Sequence, residues 1–222
     1  MTENDSYLTI SGGATSQFVE QRSRFISFAW NVTDTEQVRE HIAALQKEYY
    51  DARHCCYAYM LGAERAEWRA NDNGEPSGTA GKPILGQINS AGLTDILVAV
   101  VRYFGGVKLG TSGLIEAYRR AAADVIAASQ TVTRYVLDDI TVMARYASMN
   151  EVMRAVKDFG LTVVAEEYGE FRVTDGDTDH APYDCRYRLR MRRSLVADLT
   201  DRVARLTEAE KDASLLIAQS KE

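Results

Sequence analysis

Two glycine-rich segments in the middle of the chain place groups that could bind an anion at the start of two predicted helices. They cover residues 71–83, with the sequence NDNGEPSGTAGKP, and residues 102–113, with the sequence RYFGGVKLGTSG. Each segment ends a predicted strand and opens a helix, so that backbone N–H groups without helical partners are exposed there. Lys82, Lys108 and Arg102 could add positive charge. The pattern predicts a phosphate site, although the glycines could also serve only to make tight turns.

Two carboxylates of the first segment, Asp72 and Glu75, could act as acid and base or could bind a metal ion. In the alternative interpretation, which the sequence favours, they solvate a loop and cap helices. The glycine spacing fits neither a P-loop nor a dinucleotide-binding fingerprint, and no His or Cys pair has zinc spacing. The sequence therefore predicts neither a metal nor a cofactor.

The side chains that could act as nucleophiles have more ordinary interpretations. His54 is followed by Cys55, but neighbouring residues of a strand point to opposite faces and cannot share a proton. Buried cysteines such as Cys55 and Cys56 usually behave as small apolar residues. Ser77 and Ser112 lack the G-x-S-x-G context of a serine nucleophile, so that turn or helix capping is expected for both. No catalytic residue is predicted.

A second basic feature lies in the predicted strand at residues 183–192, where the residue types alternate strictly. One face carries four arginines, Arg186, Arg188, Arg190 and Arg192. The opposite face carries Cys185, Tyr187, Leu189 and Met191. The arginine face could bind RNA or an acidic protein. It could also be a solvated sheet face whose charges pair with nearby acids such as Glu166 and Asp184, and the sequence is consistent with both.

The first half of the chain is predicted to contain five strands and three helices. The strands are expected at residues 7–10, 24–30, 54–61, 64–70 and 95–104. The helices are expected to start at the N-caps Thr33, Thr79 and Ser112, the first of them in a capping box with Glu36. The last strand is apolar almost without alternation, which is typical of a strand covered on both faces, and it should form the centre of a first domain.

The second half repeats the alternation of strands and helices. Extended segments are expected at residues 132–143, 161–168, 171–174, 183–192 and 213–218, with a polar turn at 175–182. Ser148, in a capping box with Glu151, and Ser194 should start two helices. The order β-α-β-β-α-β is that of a ferredoxin-like domain. The predicted fold class is α+β, with domains at residues 1–132 and 133–222.

Composition limits the function classes. The chain has 222 residues, a formal net charge of −6 and a pI near 5.2, which excludes a protein that coats nucleic acid through a bulk positive field and makes DNA an improbable partner. The three cysteines cannot build a disulfide framework, so reduced thiols in the cytoplasm are expected. The polar, acidic start and the short apolar runs predict neither a signal peptide nor a membrane span.

Three segments of the chain closely resemble the IMPACT family in its bacterial two-domain form. They are HCCYAY at residues 54–59, DNGEPSGTAGKPIL at 72–85 and VVRYFGGVKLGTSGLIEAY at 100–118. The resemblance implies an N-terminal domain like the second domain of ribosomal protein S5, followed by a ferredoxin-like domain. It also implies a regulator that acts at translation. Eukaryotic relatives restrain the general-control kinase pathway by competing for its activator, and they carry an additional N-terminal RWD domain for partner binding. No such domain is expected before Tyr7 here, so the activator is not expected to be a partner of this protein.

The family has no agreed catalytic residues, so its motif positions imply only a binding surface. In this sequence they are Glu75, Ser77, Thr79, Lys82, Arg102, Tyr103 and Lys108, to which we add the predicted cap Ser112. At Asn73 the chain departs from bacterial relatives, which often have Asp there. This departure weakens the hypothesis of a metal site, because such a site would need paired carboxylates at positions 72 and 73.

Three functional hypotheses follow. The leading one is a non-enzymatic regulator in translation that binds RNA, the ribosome or an RNA-bound factor through the two glycine-rich segments, helped by the arginine face. The second is an enzyme for a small phosphorylated or nucleotide substrate, with Lys82 and Lys108 supplying charge and Glu75 or Asp72 as base. The third is a protein-interaction scaffold in which the glycines only shape the first domain.

Overall fold

The computed structural model describes residues 5–172, 174–175, 178–179, 183–210 and 213–216. Contacts divide the chain into two compact units. We call residues 6–134 the first domain, and residues 135 onward together with Asp5 the second domain. Both combine antiparallel sheets with helices, which confirms the α+β class. Within the described residues, no helix combines the length and the apolar character needed to cross a bilayer.

The first domain is built on a five-stranded antiparallel sheet. The strands of this domain, which include a separate two-stranded pair, are β1 (Ser6–Ser11), β2 (Gly13–Glu20), β3 (Ser23–Asn31), β4 (His54–Leu61), β5 (Glu67–Asn71), β6 (Ile96–Tyr103) and β7 (Gln130–Tyr135). Its helices are α1 (Thr35–Glu48), α2 (Gly81–Ser90) and α3 (Gly110–Ala127). The strand order is β2-β3-β6-β4-β5, while β1 pairs with β7.

Strand β6 lies at the centre of this sheet, as its unbroken apolar sequence predicts. Seven of its eight residues are buried because both faces are covered. On one face the residues of the sheet pack with those of α2 and α3, and on the other they pack with α1. The sequence prediction missed β2, which is an edge strand paired only with β3 and carries few large apolar residues.

Helix α1 begins one residue later than its predicted cap. Asp34, not Thr33, is the N-cap, and its Oδ1 accepts hydrogen bonds from the amides of Glu36 (2.9 Å) and Gln37 (2.8 Å). The Gln37 side chain in turn bonds both the amide and the hydroxyl of Thr33. The predicted capping box of Thr33 with Glu36 is therefore wrong by one position, because the aspartate reaches two amides at once.

The second domain contains a four-stranded antiparallel sheet with the order β13-β8-β12-β9. The strands are β8 (Leu137–Ala144), β9 (Thr162–Phe171), β10 (Thr174–Asp175), β11 (Thr178–Asp179), β12 (Tyr183–Arg192) and β13 (Ala213–Leu216). The helices are α4 (Met149–Asp158) and α5 (Val196–Glu210). Apart from the short β10–β11 pair, the elements follow the predicted β-α-β-β-α-β order. One face of the sheet packs against α4 and α5.

Several local predictions in the second domain are wrong. The expected strand at 132–143 is interrupted between β7 and β8, and the expected turn at 175–182 includes β11, while residues 176–177 and 180–182 lie outside the described residues. Ser148 stands at the predicted N-cap position of α4, but its side chain makes no capping hydrogen bond, and its buried hydroxyl has no partner among the described residues. Ser194 lies in a short 3₁₀ turn that precedes α5, and its amide donates to Asp5 Oδ2 at 3.0 Å. Residues 217–218 of the last predicted strand are outside the described residues as well.

Candidate functional site

A cavity of about 440 Å³ opens in the first domain where the two glycine-rich segments meet. The start of β4, the end of β6 and the first turn of α3 complete its walls. The lining residues are Arg53, His54, Gly74, Glu75, Pro76, Arg102, Phe104, Lys108, Leu109, Gly110, Thr111 and Leu114. The fold thus brings together residues from segments that are far apart in the sequence.

The base of the cavity is a buried ion pair between Glu75 and Arg102. Arg102 Nη1 donates to Glu75 Oε1 at 2.6 Å, and both side chains are at least 95% buried. Tyr118 Oη donates to the same carboxylate oxygen at 2.9 Å, and Arg102 Nη2 donates to Ser23 Oγ at 3.3 Å. A charge pair removed from water in this way needs such additional hydrogen bonds to offset its desolvation. Arg102 therefore cancels the charge of Glu75 inside the site.

Strand register brings His54 to this pair. Strands β4 and β6 are antiparallel, and His54 stands directly opposite Arg102. His54 Nδ1 lies 2.9 Å from the carbonyl oxygen of Asn73, which can only accept, so Nδ1 carries the hydrogen. The other ring nitrogen, Nε2, faces the Glu75 carboxylate at 3.9 Å. The backbone at Asn73 thus fixes the imidazole ring with Nε2 toward the site.

The cysteines near the cavity belong to the core. Cys56 donates to the carbonyl oxygen of Asp72 at 2.9 Å and lies 3.3 Å from Tyr118 Oη. Burial raises the pKa of Cys55 to about 11, and it raises the pKa of Cys56 still further. Both thiols are therefore protonated at neutral pH and are poor nucleophiles, as the interpretation of these cysteines as small apolar residues requires.

The start of α2 is occupied by a side chain of the protein itself. The carboxylate of Asp72 accepts from the amides of Gly78 (2.8 Å), Ala80 (3.0 Å) and Gly81 (2.8 Å). Thr79, the predicted cap, is buried, and its hydroxyl donates to the carbonyl oxygen of Pro76 at 2.7 Å. The prediction that Thr79 caps α2 is wrong, because the carboxylate of Asp72, several residues upstream, accepts the hydrogen bonds of the amides at this end.

These hydrogen bonds make the ionised form of Asp72 the stable one. Burial alone would raise its pKa, but the amides of Gly78, Gly81 and Ala80 and the charge of Lys82 outweigh burial, and the pKa lies below its ordinary value. A lowered folded-state pKa stabilises the fold above the unfolded-state pKa of about 3.9. That stabilisation is lost as the pH falls through the folded-state value.

Replacing Asp72 by Asn is expected to destabilise the first domain by about 1–3 kcal/mol at pH 7, because an amide oxygen is a weaker acceptor than a carboxylate. The difference from wild type should shrink as the pH falls through the folded-state pKa. Urea unfolding followed by tryptophan fluorescence measures this, since both tryptophans, Trp30 and Trp68, lie in the first domain. Asp34→Asn is the matched control and should change stability little, because Asn and Asp are equivalent N-caps. Equal losses at pH 7 and at acidic pH would contradict the assignment.

The start of α3 differs from that of α2. Gly110 has a φ of +71°, which favours glycine, and the N-cap residue Leu109 makes no side-chain capping hydrogen bond. Among the described residues, none accepts a hydrogen bond from the amides of Gly110 and Thr111. Ser112, the predicted cap, is already the third residue of the helix, so that prediction is wrong. Gly110 and Thr111 line the cavity together with Lys108.

The predicted binding residues divide into two groups. Glu75, Arg102 and Lys108 line the cavity. Ser77 and Lys82 are exposed elsewhere, Thr79 is buried, Ser112 lies within α3, and Tyr103 donates to Asp51 Oδ1 at 2.7 Å. Tyr103 misses the cavity because it follows Arg102 on a strand and points to the other face.

Sequence reasoning also missed lining residues, above all Arg53, His54 and Phe104. The sequence places His54 at the first position of a predicted strand, but it does not show which residue of the neighbouring strand lies opposite. Only the register of β4 and β6 shows that this residue is Arg102. Among the described residues, no group of three His, Cys, Asp or Glu side chains could hold a metal ion.

The arginine face of β12 is largely paired with acids. Arg186 pairs with Glu167, Arg190 with Asp139 (2.6 Å) and Arg192 with Asp5 (2.7 Å). Arg188 is exposed and forms no ion pair with a described residue. The opposite residues of the strand are buried, as the alternation predicts. The ion pairs favour the interpretation of this face as a neutralised sheet surface, with partners other than Glu166 and Asp184.

Comparisons with known proteins agree with the sequence motifs. A model of the Impact N-terminal domain matches residues 21–126. The chain is 32% identical over 165 residues to IMPACT family member YvyE of Bacillus subtilis, covering 74% of this chain and 76% of the relative. It is 31% identical over 153 residues to IMPACT family member YigZ of Escherichia coli, covering 68% and 75%. A crystal structure described as that of a hypothetical protein matches with a TM-score of 0.68 and 26% identity, covering 98% of this chain and 99% of that one. This chain belongs to the IMPACT family.

Proposed function

We propose that this protein is a non-enzymatic regulator in translation that binds RNA at the cavity of the first domain. One observation carries the proposal: Gly110 and Thr111, whose amides have no acceptor among the described residues, line the cavity together with Lys108, and Arg102 already neutralises Glu75 there. A helix start of this kind favours a phosphate group. The translational part of the proposal rests on the family resemblance.

The charge of the cavity differs from that of the whole chain. Arg53 and Lys108 are both exposed, and within the described part of the chain no ion pair neutralises them. The formal net charge of the chain is −6, so its overall field repels RNA. Binding must therefore depend on a few local phosphate contacts, and it should weaken steeply as salt is added.

The structure gives less support to the enzyme hypothesis. Asp72, one of the two suggested bases, has its carboxylate bonded to three amides at the start of α2. Lys82 does not line the cavity. Arg102 and Tyr118 both donate to Glu75 Oε1, so this oxygen is already occupied by the protein's own donors.

We extend the proposal to the finer fold assignment and to location. Residues 1–132 would form a domain like the second domain of ribosomal protein S5, and residues 133–222 a ferredoxin-like domain. The β-α-β-β-α-β order of the second domain and its fully antiparallel sheet support the latter. An RNA-binding regulator of translation would act in the cytoplasm.

Lys108→Ala is expected to weaken the binding of single-stranded RNA, because it removes one phosphate contact. The slope of log K against log salt should fall by about 0.7 for that contact. Fluorescence anisotropy with labelled RNA over a salt series measures both the affinity and the slope.

The matched control for this measurement is Lys82→Ala. It makes the same change in net charge, but Lys82 lies outside the cavity. Its affinity and salt slope should equal those of wild type. Equal effects of the two substitutions would show that only the overall charge of the protein matters for RNA binding. Failure of the wild-type protein to bind RNA at low salt would refute the proposal.

A further inference from the structure

The cavity offers more than a phosphate site, because one of its walls is an exposed aromatic ring. Phe104 follows β6 and is 44% exposed, although it is one of the larger apolar residues of the chain. The guanidinium of Arg102 lies 5.6 Å from the centroid of the Phe104 ring. Pro76, Leu109 and Leu114 add apolar surface to the same cavity. Such a wall suits a flat, apolar group that stacks on the ring.

The floor of the cavity retains an unused acceptor. The Glu75 side chain is only 3% exposed, and its contacts with Arg102, Tyr118 and His54 are all made by Oε1. Among the described residues, Oε2 has no hydrogen-bond donor. Glu75 lines the cavity, so Oε2 can accept a hydrogen bond from a bound group that supplies an N–H or O–H.

The size of the cavity limits what can enter. Its volume of about 440 Å³ is in the range of roughly 300–1,000 Å³ that holds small molecules and cofactors. A pocket of this size has no room for a duplex, whose bases are also stacked and paired. Single-stranded RNA, by contrast, can turn out a base that stacks on an aromatic side chain.

We infer that the cavity takes one unstacked nucleotide of single-stranded RNA, an inference that rests on the proposed function. Its phosphate contacts Lys108 and the amides of Gly110 and Thr111, its base stacks on Phe104, and an N–H or O–H of the nucleoside donates to Glu75 Oε2. The pocket thus distinguishes a nucleotide from a bare anion and single strands from duplexes.

Phe104→Leu tests the stacking contact and should weaken single-stranded RNA binding about 10-fold. Phe104→Tyr, which keeps the ring, should restore the affinity. Trp68→Leu is the matched control, since Trp68 is exposed in the same domain but outside this cavity, and it should leave the affinity unchanged. Circular dichroism verifies that each variant is folded.

Competition with labelled single-stranded RNA completes the experiment. The four ribonucleoside 5′-monophosphates, inorganic phosphate and a duplex of the same sequence are the competitors. We expect at least one monophosphate to compete at lower concentration than phosphate, and the duplex to compete poorly. RNA binding that is indifferent to Phe104→Leu, or equal competition by phosphate and all four monophosphates, overturns this inference while the proposed function stands. If the wild-type protein binds no RNA at low salt, both the proposed function and this inference fail.

Discussion

Glu75→Ala is expected to destabilise the first domain by about 3–5 kcal/mol, because it leaves the charge of Arg102 buried without a partner. Both side chains are almost completely buried, and Arg102 Nη1 donates to Glu75 Oε1 at 2.6 Å. The substitution also removes the acceptor of the Tyr118 hydroxyl. Urea unfolding followed by the fluorescence of Trp30 and Trp68 reports on this domain.

The double variant Glu75→Met with Arg102→Met is the control for this prediction. Replacing both members of a buried ion pair by apolar residues of similar size is often neutral, so the double variant should regain most of the lost stability. If Glu75→Ala alone costs less than about 1 kcal/mol, water reaches the pair and the description of a neutralised, buried floor is wrong.

Gly105→Ala should cost about 3 kcal/mol or more, because the added Cβ would collide with backbone atoms. A Cβ at this position would lie 2.0 Å from the carbonyl carbon of Arg22 and 2.1 Å from its oxygen. The Gly105 amide also lies 3.3 Å from Ser23 Oγ and donates to it. Relieving the collision would require moving the turn between β2 and β3 away from the end of β6.

Gly106→Ala is the neighbouring control. Its φ is +86°, but an added Cβ would meet no atom within 4 Å, so only backbone strain of about 1–2 kcal/mol is expected. Thermal unfolding of the two variants separates steric from conformational cost. Equal destabilisation would contradict the close approach of Arg22. If Gly106→Ala remains folded but loses RNA binding, the glycines do more than shape the domain, which argues against the pure scaffold hypothesis.

Strands whose signal lies in the pattern of neighbouring residues could be predicted from the sequence. The apolar run of β6 and the strict alternation of β12 are properties of neighbouring residues, and the structure confirms both strands. Gly92 and Gly160 lie just past the ends of α2 and α4 with positive φ values of 66° and 62°, and such a glycine is a helix-end signal that is also local in the sequence. In each case the signal and the structure it specifies lie within a few residues.

The helix starts and the site could be predicted only in part, because their determinants are distant in sequence. Asp72 accepts hydrogen bonds from the amides at the start of α2 although it lies outside the helix, whereas the residues immediately before the first turn predicted Thr79 as the cap. His54 reaches the cavity through strand register. The ion pairs of Arg190 with Asp139 and of Arg192 with Asp5 likewise join separate segments. Residues of both glycine-rich segments line the cavity, but among the described residues acceptors occupy the amides at the start of α2 and none occupies those of Gly110 and Thr111 at the start of α3.

The most direct test of the central claim is a titration of ¹⁵N-labelled protein with single-stranded RNA at low salt, followed by amide chemical shifts. Binding of RNA at the start of α3 predicts that the amide resonances of Gly110 and Thr111 shift. The resonances of Gly78, Ala80 and Gly81, whose hydrogens are held by Asp72, should stay in place. Shifts confined to those three amides, or no shift at Gly110 and Thr111 while RNA is bound, would contradict it.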